Sequence, residues 1–284
     1  MADSTQHFPQ NTGFIERTIV VDGDSRPVWV FVPEDYHPGR KYPAILFLHG
    51  LWEKGNGGTN VLSAGLGPVI AQDPEHWPFI TIFPQSPGDW KGPERERLAM
   101  IALDDAQRHW SIDSDRVILA GLSYGGLGVW EIGAKHPDRF AALVPVSGHQ
   151  APEWVERLVT FPIWAFASHD DPWVKSDNSV EMCRAIDACG GHARLTEFEG
   201  SSHDCWELAV SESDLVSWML KQKREPVQRA TTVVGTPQPL RRPTNSAAST
   251  VLPSRMTQPG RLRPFTTPVI TPPSPQLNVS VDTR

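Results

Sequence analysis

Buried strands alternating with amphipathic helices predict an α/β fold: a mostly parallel, doubly wound sheet with an antiparallel hairpin at its N-terminal edge. Three observations carry the expectation. Tyr42 to Leu48 and Val117 to Ala120 are unbroken apolar runs, the pattern of strands covered on both faces. Segments of helical spacing, such as Leu98, Ile101, Ala102 and Ala106, lie between such runs. The runs end in small, polar, glycine-bearing turns, and strands alternating with helices in this way pair in parallel.

Taken in order, residues 14–22 and 27–33 read as two strands joined through Asp22-Gly23-Asp24, which supplies turn chemistry. Strand 42–48 follows and runs into His49-Gly50-Leu51-Trp52-Glu53. A helix is expected within 60–72, a buried strand over 79–83, and a loop over Pro84 to Trp90. The spacing predicts a helix over 94–110, a strand over 116–120, and a helix over 124–136 stopped by Pro137. Strand 141–146, an irregular segment near 152–160 and strand 162–167 come next, the last running into Ser168-His169-Asp170-Asp171. Ser176 or Asp177 can cap a helix that Gly190-Gly191 ends; strand 193–198 and the loop Ser201 to Asp204 follow. Ser211-x-x-Asp214 opens a terminal helix carrying Leu215, Trp218 and Met219. No internal repeat is visible.

Composition divides the chain. All eleven Trp precede residue 222. Residues 223–284 hold 11 of the 27 Pro, with 9 basic and 2 acidic residues, a net +7; against −7 overall, the rest carries −14. A Pro/Thr/Ser-rich stretch so poor in aromatics cannot bury enough apolar surface to offset its chain entropy, and it reads as a disordered tail of unknown partner. The expected division is a flexible segment 1–13, a folded domain 14–222 and the basic tail 223–284. The acidic body argues against nucleic acid binding. Met1 to Phe8 lacks the basic region and apolar core of a signal peptide, and no run of about eighteen apolar residues predicts a membrane span. Cys183, Cys189 and Cys205 are odd in number and have no metal-ligand spacing. They fit free thiols in a reducing compartment, and a cytoplasmic location is expected. No metal or other cofactor is expected. Asn278-Val279-Ser280 matches a glycosylation acceptor, which carries no meaning without a secretion route.

The chemistry centres on Gly121-Leu122-Ser123-Tyr124-Gly125-Gly126, between an apolar strand and a helix. Strand, G-x-S-x-G, helix is the context of a nucleophile elbow: a sharp, strained turn that lifts a serine hydroxyl above the sheet. A serine hydroxyl is a poor nucleophile at neutral pH and needs a base, itself oriented by a carboxylate. In this architecture the chain order is Ser, acid, His. Asp171 lies 48 residues beyond Ser123, and His203 a further 32, each after a strand. Asp170 competes for the acid, but Asp171 heads Asp-Pro-Trp-Val, where proline sets the turn, and Asp170 reads as a turn or cap carboxylate. The other histidines fit less well. His7 and His37 sit near the N-terminus or in a turn, and His76, His109, His136 and His192 in helices or polar turns. His149 and His169 precede the acid. The oxyanion of an acyl-transfer intermediate needs pre-oriented donors. One is the N–H of Tyr124, and the other comes from the His49 turn, with Leu51 favoured and Trp52 the alternate. His49 itself reads as structural, its ring packed under the turn.

Phe47-Leu-His-Gly50, Phe83-Pro-Gln85, Ile112 to Gly126, Asp171-Pro-Trp-Val174 and His203-Asp-Cys-Trp206 together resemble the α/β-hydrolases over roughly residues 14–220. The resemblance is to the esterase/phospholipase-carboxylesterase and dienelactone-hydrolase-like group, including polyhydroxybutyrate-depolymerase-like and feruloyl-esterase-like enzymes. It implies a cofactor-free serine carboxylesterase that works through an acyl-enzyme. The dienelactone hydrolases themselves carry cysteine where this chain has Ser123, so that activity is not carried across. The turn has Leu51-Trp52-Glu53 where relatives often have a small residue followed by Gly-Glu, which implies a narrower acyl pocket. The short connection between strands 141–146 and 162–167 leaves no room for a large lid, which favours small soluble esters over long-chain lipids. Trp52, Trp90, Trp173 and Trp206 all fall in loops at the expected active face, where they are candidates to line an aromatic pocket for an aryl or flat acyl group. The alternative placement is at the edge of the core. Two other functions compete: a serine peptidase of the prolyl-oligopeptidase type, and a non-catalytic hydrolase-fold binding protein. The first usually has a large gating domain, and the second has usually lost a member of the Ser-Asp-His set.

Overall fold

The structure, a computed structural model, describes residues 12–200 and 202–224. The expectations for 1–11 and for the tail beyond 224 lie outside those residues. Eight strands form one sheet: β1 (Gly13–Val21), β2 (Asp24–Val32), β3 (Tyr42–Leu48), β4 (Ile80–Pro84), β5 (Ile112–Leu122), β6 (Ala142–Val146), β7 (Ile163–Ser168) and β8 (Ala193–Phe198). Their order is β1-β2-β4-β3-β5-β6-β7-β8. β1 pairs antiparallel with β2, and β2 antiparallel with β4; every later pairing, from β4·β3 to β7·β8, is parallel. The chain therefore has the expected doubly wound architecture with an antiparallel hairpin at one edge.

Side-chain alternation along the central strands feeds two apolar layers. On β3, Ala44, Leu46 and Leu48 enter one layer, and Ile45 and Phe47 the other. The first layer is closed by α2 (Pro93–His109), α3 (Tyr124–Lys135), the single turn α4 (Val155–Leu158) and α5 (Asp177–Ala188). The second is closed by α1 (Leu66–Gln72), α6 (Trp206–Ser211) and α7 (Leu215–Lys221). Both faces of β3 and of the Val117–Leu122 half of β5 are buried, which is why those stretches read as unbroken apolar runs.

The structure refines four local readings. β5 starts at Ile112, earlier than its apolar run, because Ile112 pairs with Tyr42 across a register shift in the ladder. The helix expected within 60–72 is α1; a single 3₁₀ turn, Asn60–Leu62, precedes it, and Gly65, at φ +65°, lies between them. Ser211 closes α6 and does not open the terminal helix. The Ser213 hydroxyl accepts the Leu215 N–H at 3.1 Å at the start of α7. Arg224 lies beyond the expected boundary at 222, yet its guanidinium and its N–H reach Asp115 at 2.6 and 2.7 Å, so the fold includes it.

Candidate active site

Ser123 joins β5 to α3 in a conformation that L-residues rarely adopt, φ 58°, ψ −113°. Its N–H donates to Val146 on the neighbouring strand at 2.9 Å, and its carbonyl accepts the Leu127 N–H at 3.0 Å. Backbone bonds on both sides thus hold the strain in place. Glycine is required here by space. A Cβ on Gly121 would lie 2.5 Å from the Gly125 carbonyl, and one on Gly125 would lie 1.8 Å from the Leu48 oxygen. The elbow helix therefore packs backbone to backbone against the end of β3, at Leu48 and His49.

That turn is braced from below. The Ser86 N–H donates to His49 Nε2 at 2.9 Å, so the ring carries its proton on Nδ1, which reaches the Gly50 carbonyl at 2.6 Å. Burial lowers the His49 imidazole to about 4, leaving it neutral. The Trp90 indole N–H donates to the His49 carbonyl at 2.9 Å. Gln85 Nε2 donates to the Glu53 carbonyl at 3.0 Å, and Gln85 Oε1 accepts the Gly57 N–H at 2.7 Å. His49 is thus a structural residue, as its position suggested. Gln85 is a brace that the sequence quoted within Phe83-Pro-Gln85 without assigning it a role.

Asp171 follows β7, and its carboxylate is fully enclosed. Oδ1 accepts the N–H groups of Trp173 and Val174 at 2.8 and 2.9 Å, closing the Asp-Pro-Trp-Val turn on itself. Oδ2 accepts the His203 Nδ1–H at 2.6 Å. Asp170 instead accepts the Gly200 N–H at 2.7 Å and does not touch His203. The His203 loop is anchored by two residues to which the sequence assigned no role. Ser147, itself at φ 47°, donates through Oγ to the His203 carbonyl at 2.6 Å. Asp204 accepts the Gly65 N–H at 2.6 Å, tying the loop to the start of α1. Their signal was positional: each sits at or beside the carboxyl end of a strand or next to the candidate base.

Ser123 and His203 are both buried and line one cavity of about 180 Å³, together with Gly50, Leu51, Trp52 and Glu53. Among the described residues no hydrogen bond joins the Ser123 hydroxyl to His203. With Nδ1 committed to Asp171, Nε2 is the ring nitrogen left to meet that hydroxyl. Trp173 stands edge-on to the His203 ring, with centroids 5.2 Å apart, and meets Trp52 at 6.4 Å. These two indoles are 64% and 68% exposed, unusual for Trp, and both reach the cavity. Trp90 and Trp206 do not. Trp90 is 1% exposed beneath His49, and Trp206 is fully buried against Phe47, so their assignment to substrate contact is corrected to core packing. The Trp206 indole N–H has no partner among the described residues. Those residues also hold no group of His, Cys, Asp and Glu side chains suited to a metal ion.

No family model matches the chain. It is similar to dipeptidyl-peptidase 5 of Porphyromonas gingivalis, 29% identical over 178 residues, 56% of this chain and 24% of that protein. Among solved structures it is similar to a thermostable esterase, with a TM-score of 0.66 and 30% identity over 74% of this chain and 63% of that one. It also matches a ferulic acid esterase, with a TM-score of 0.59 and 19% identity over 72% of this chain and 98% of that one. The chain spans about a quarter or less of the length of the curated relatives it matches.

Proposed function

From the premise that the chain is an α/β-hydrolase, whose structural neighbours are esterases and peptidases of that fold, we propose that it is a serine carboxylesterase acting on small soluble or aryl esters. The observation that carries the reading is the convergence of Ser123, on its strained elbow, and the Asp171–His203 pair at one cavity. His203 Nε2 takes the Ser123 proton as Oγ attacks the ester carbonyl. Asp171 holds the ring in the required tautomer and supports the imidazolium that forms. The carbonyl oxygen becomes an oxyanion, for which the N–H groups of Tyr124 and Leu51 are the donors. His203 then returns the proton to the alcohol that leaves, and water releases the acyl group by the same route. The Ser–His hydrogen bond closes in the substrate complex, as often happens at such sites.

The cavity is small, and Trp52 and Trp173 form its rim. A flat acyl group can lie against one indole face while its carbonyl points at Ser123. A long alkyl chain finds little enclosed room. Three free thiols, two buried and one exposed, fit a cytoplasmic setting. The similarity to dipeptidyl-peptidase 5 favours a second reading, peptide hydrolysis by the same residues.

The test compares wild type with Ser123→Ala on p-nitrophenyl acetate, butyrate and octanoate, a feruloyl ester and an aminoacyl p-nitroanilide. The expected result is ester turnover that falls by about 10⁴–10⁶ in kcat on removal of the hydroxyl. Acetyl and feruloyl esters should lead and octanoate trail. Preference for the anilide would move the protein to the peptidases, and equal rates in both proteins would remove the assignment.

A further inference from the structure

Glu53 is a carboxylate in an unexpected place. It belongs to the turn after β3, is 5% exposed, and lines the cavity together with Ser123 and His203. Its Oε2 stands 2.9 Å from where a Cβ on Gly50 would be, and the Ser123 Cβ stands 3.6 Å from that same point. Its backbone carbonyl is fixed by Gln85, so the side chain leaves from a held position. With no Lys or Arg on the cavity wall, its carboxyl is held by the backbone N–H groups of Gly50 and Glu53.

We propose that Glu53 is a positioning residue of this site: its carboxyl braces the Gly50–Leu51 turn from the cavity side, and its charge supports His203 when that ring takes up a proton. The inference rests on the serine hydrolase reading and deepens it. A brace at Gly50 fixes the peptide plane from which Leu51 presents its N–H. A negative charge near the imidazolium favours the protonated ring, adding to the effect of Asp171 from the other side. Burial pushes the Glu53 carboxyl up, against the N–H groups of Glu53 and Gly50; Asp204 adds to the rise and His203 opposes it. The titratable groups around His203 are Asp171, bonded to it from the β7 turn, Glu53 from the β3 turn, His149 from the β6 end, and its chain neighbour Asp204, which lines the same cavity. Glu53 and Asp204 both line the cavity, and Glu53 is the one whose carboxylate stands against Gly50.

The experiment follows the rate at which a fluorophosphonate labels the protein, from pH 4.5 to 9, for wild type, Glu53→Gln and Glu53→Ala, with Ser123→Ala as blank. Labelling needs a deprotonated His203 and no particular ester. Ester kcat and KM at pH 8 and the melting temperature are measured alongside. Glu53→Gln keeps shape and hydrogen bonding but loses the charge, so its acid limb should move to lower pH by about half a unit while kcat changes little. Glu53→Ala should show the same displacement and about a tenfold fall in kcat, larger than any change in KM, because the brace is gone. A merely structural Glu53 would lower the melting temperature and leave the limb in place. An unmoved limb in a folded Glu53→Gln overturns the proposal, whereas absence of labelling in wild type overturns the hydrolase reading itself.

Discussion

Asp171 has two separable duties, and one substitution parts them. Asp171→Asn retains an oxygen for the Trp173 and Val174 N–H groups, so the turn should stand. The amide nitrogen would then face His203 Nδ1 and force the wrong tautomer. The expected outcome is a loss of about 10³–10⁴ in kcat with a melting temperature within a few degrees of wild type, read by steady-state kinetics and thermal melts. Ser147 acts one step further out. Ser147→Ala removes the hydroxyl that holds the His203 carbonyl, and should cost about 1 kcal/mol of stability in a urea titration and lower kcat by about tenfold. At this scale the sequence picked out Ser123, Asp171 and His203 as candidates by their order along the chain, and the structure bonds Asp171 to His203 and sets Ser123 at the same cavity as His203. Trp90 and Trp206 were misassigned, because a Trp beside a motif looks the same in sequence whether it lies above the loop or beneath it. The structure buries both.

Between elements, the decisive contact is that of α3 on the end of β3. Gly125 allows it, since any Cβ there would fall 1.8 Å from the Leu48 oxygen and 2.8 Å from the His49 oxygen. Gly125→Ala must push the helix away, separating the Tyr124 N–H from the β3 turn. The expected loss is on the order of 10²–10³ in kcat, the cost of one oxyanion donor, with a fall in melting temperature measurable by calorimetry. Element boundaries were legible where a period could be followed. β3 lies where its apolar run put it, and β8 matches the expected strand 193–198. α6 went unseen because six residues, Trp206–Ser211, are too few to show a helical period. The early start of β5 is likewise a matter of pairing with Tyr42, which no local pattern announces.

For the molecule as a whole, acid stability should bear the mark of His49. Burial holds its folded-state imidazole at about 4, below its ordinary 6.5. The unfolded chain therefore binds the extra proton first. Stability from this group is complete above pH 6.5 and is lost as pH falls toward 4, by about 3 kcal/mol in all. Glu96 adds to the loss at the lower end: against the burial that raises its carboxyl, Lys135 and His136 hold it low. Glu53, raised by burial, works in the opposite sense. Melting temperatures from pH 7 to 4.5 should fall steeply in wild type and less steeply in His49→Asn, whose melting temperature at pH 7 is itself lower. Parallel slopes would show that His49 is not what couples protons to folding.

Covalent geometry alone sets the two- and 3.6-residue periods, so the chain's own letters determined the alternation of strands and helices, the doubly wound sheet and the placing of Ser123, Asp171 and His203 after β5, β7 and β8. The tertiary structure decided which Trp residues rim the cavity, how Ser147 and Asp204 anchor the His203 loop, and that Glu53 stands inside the site. Those outcomes depend on which side of a loop a residue takes once strands far apart in the chain have paired. Packing between remote segments makes that choice, and no local pattern encodes it.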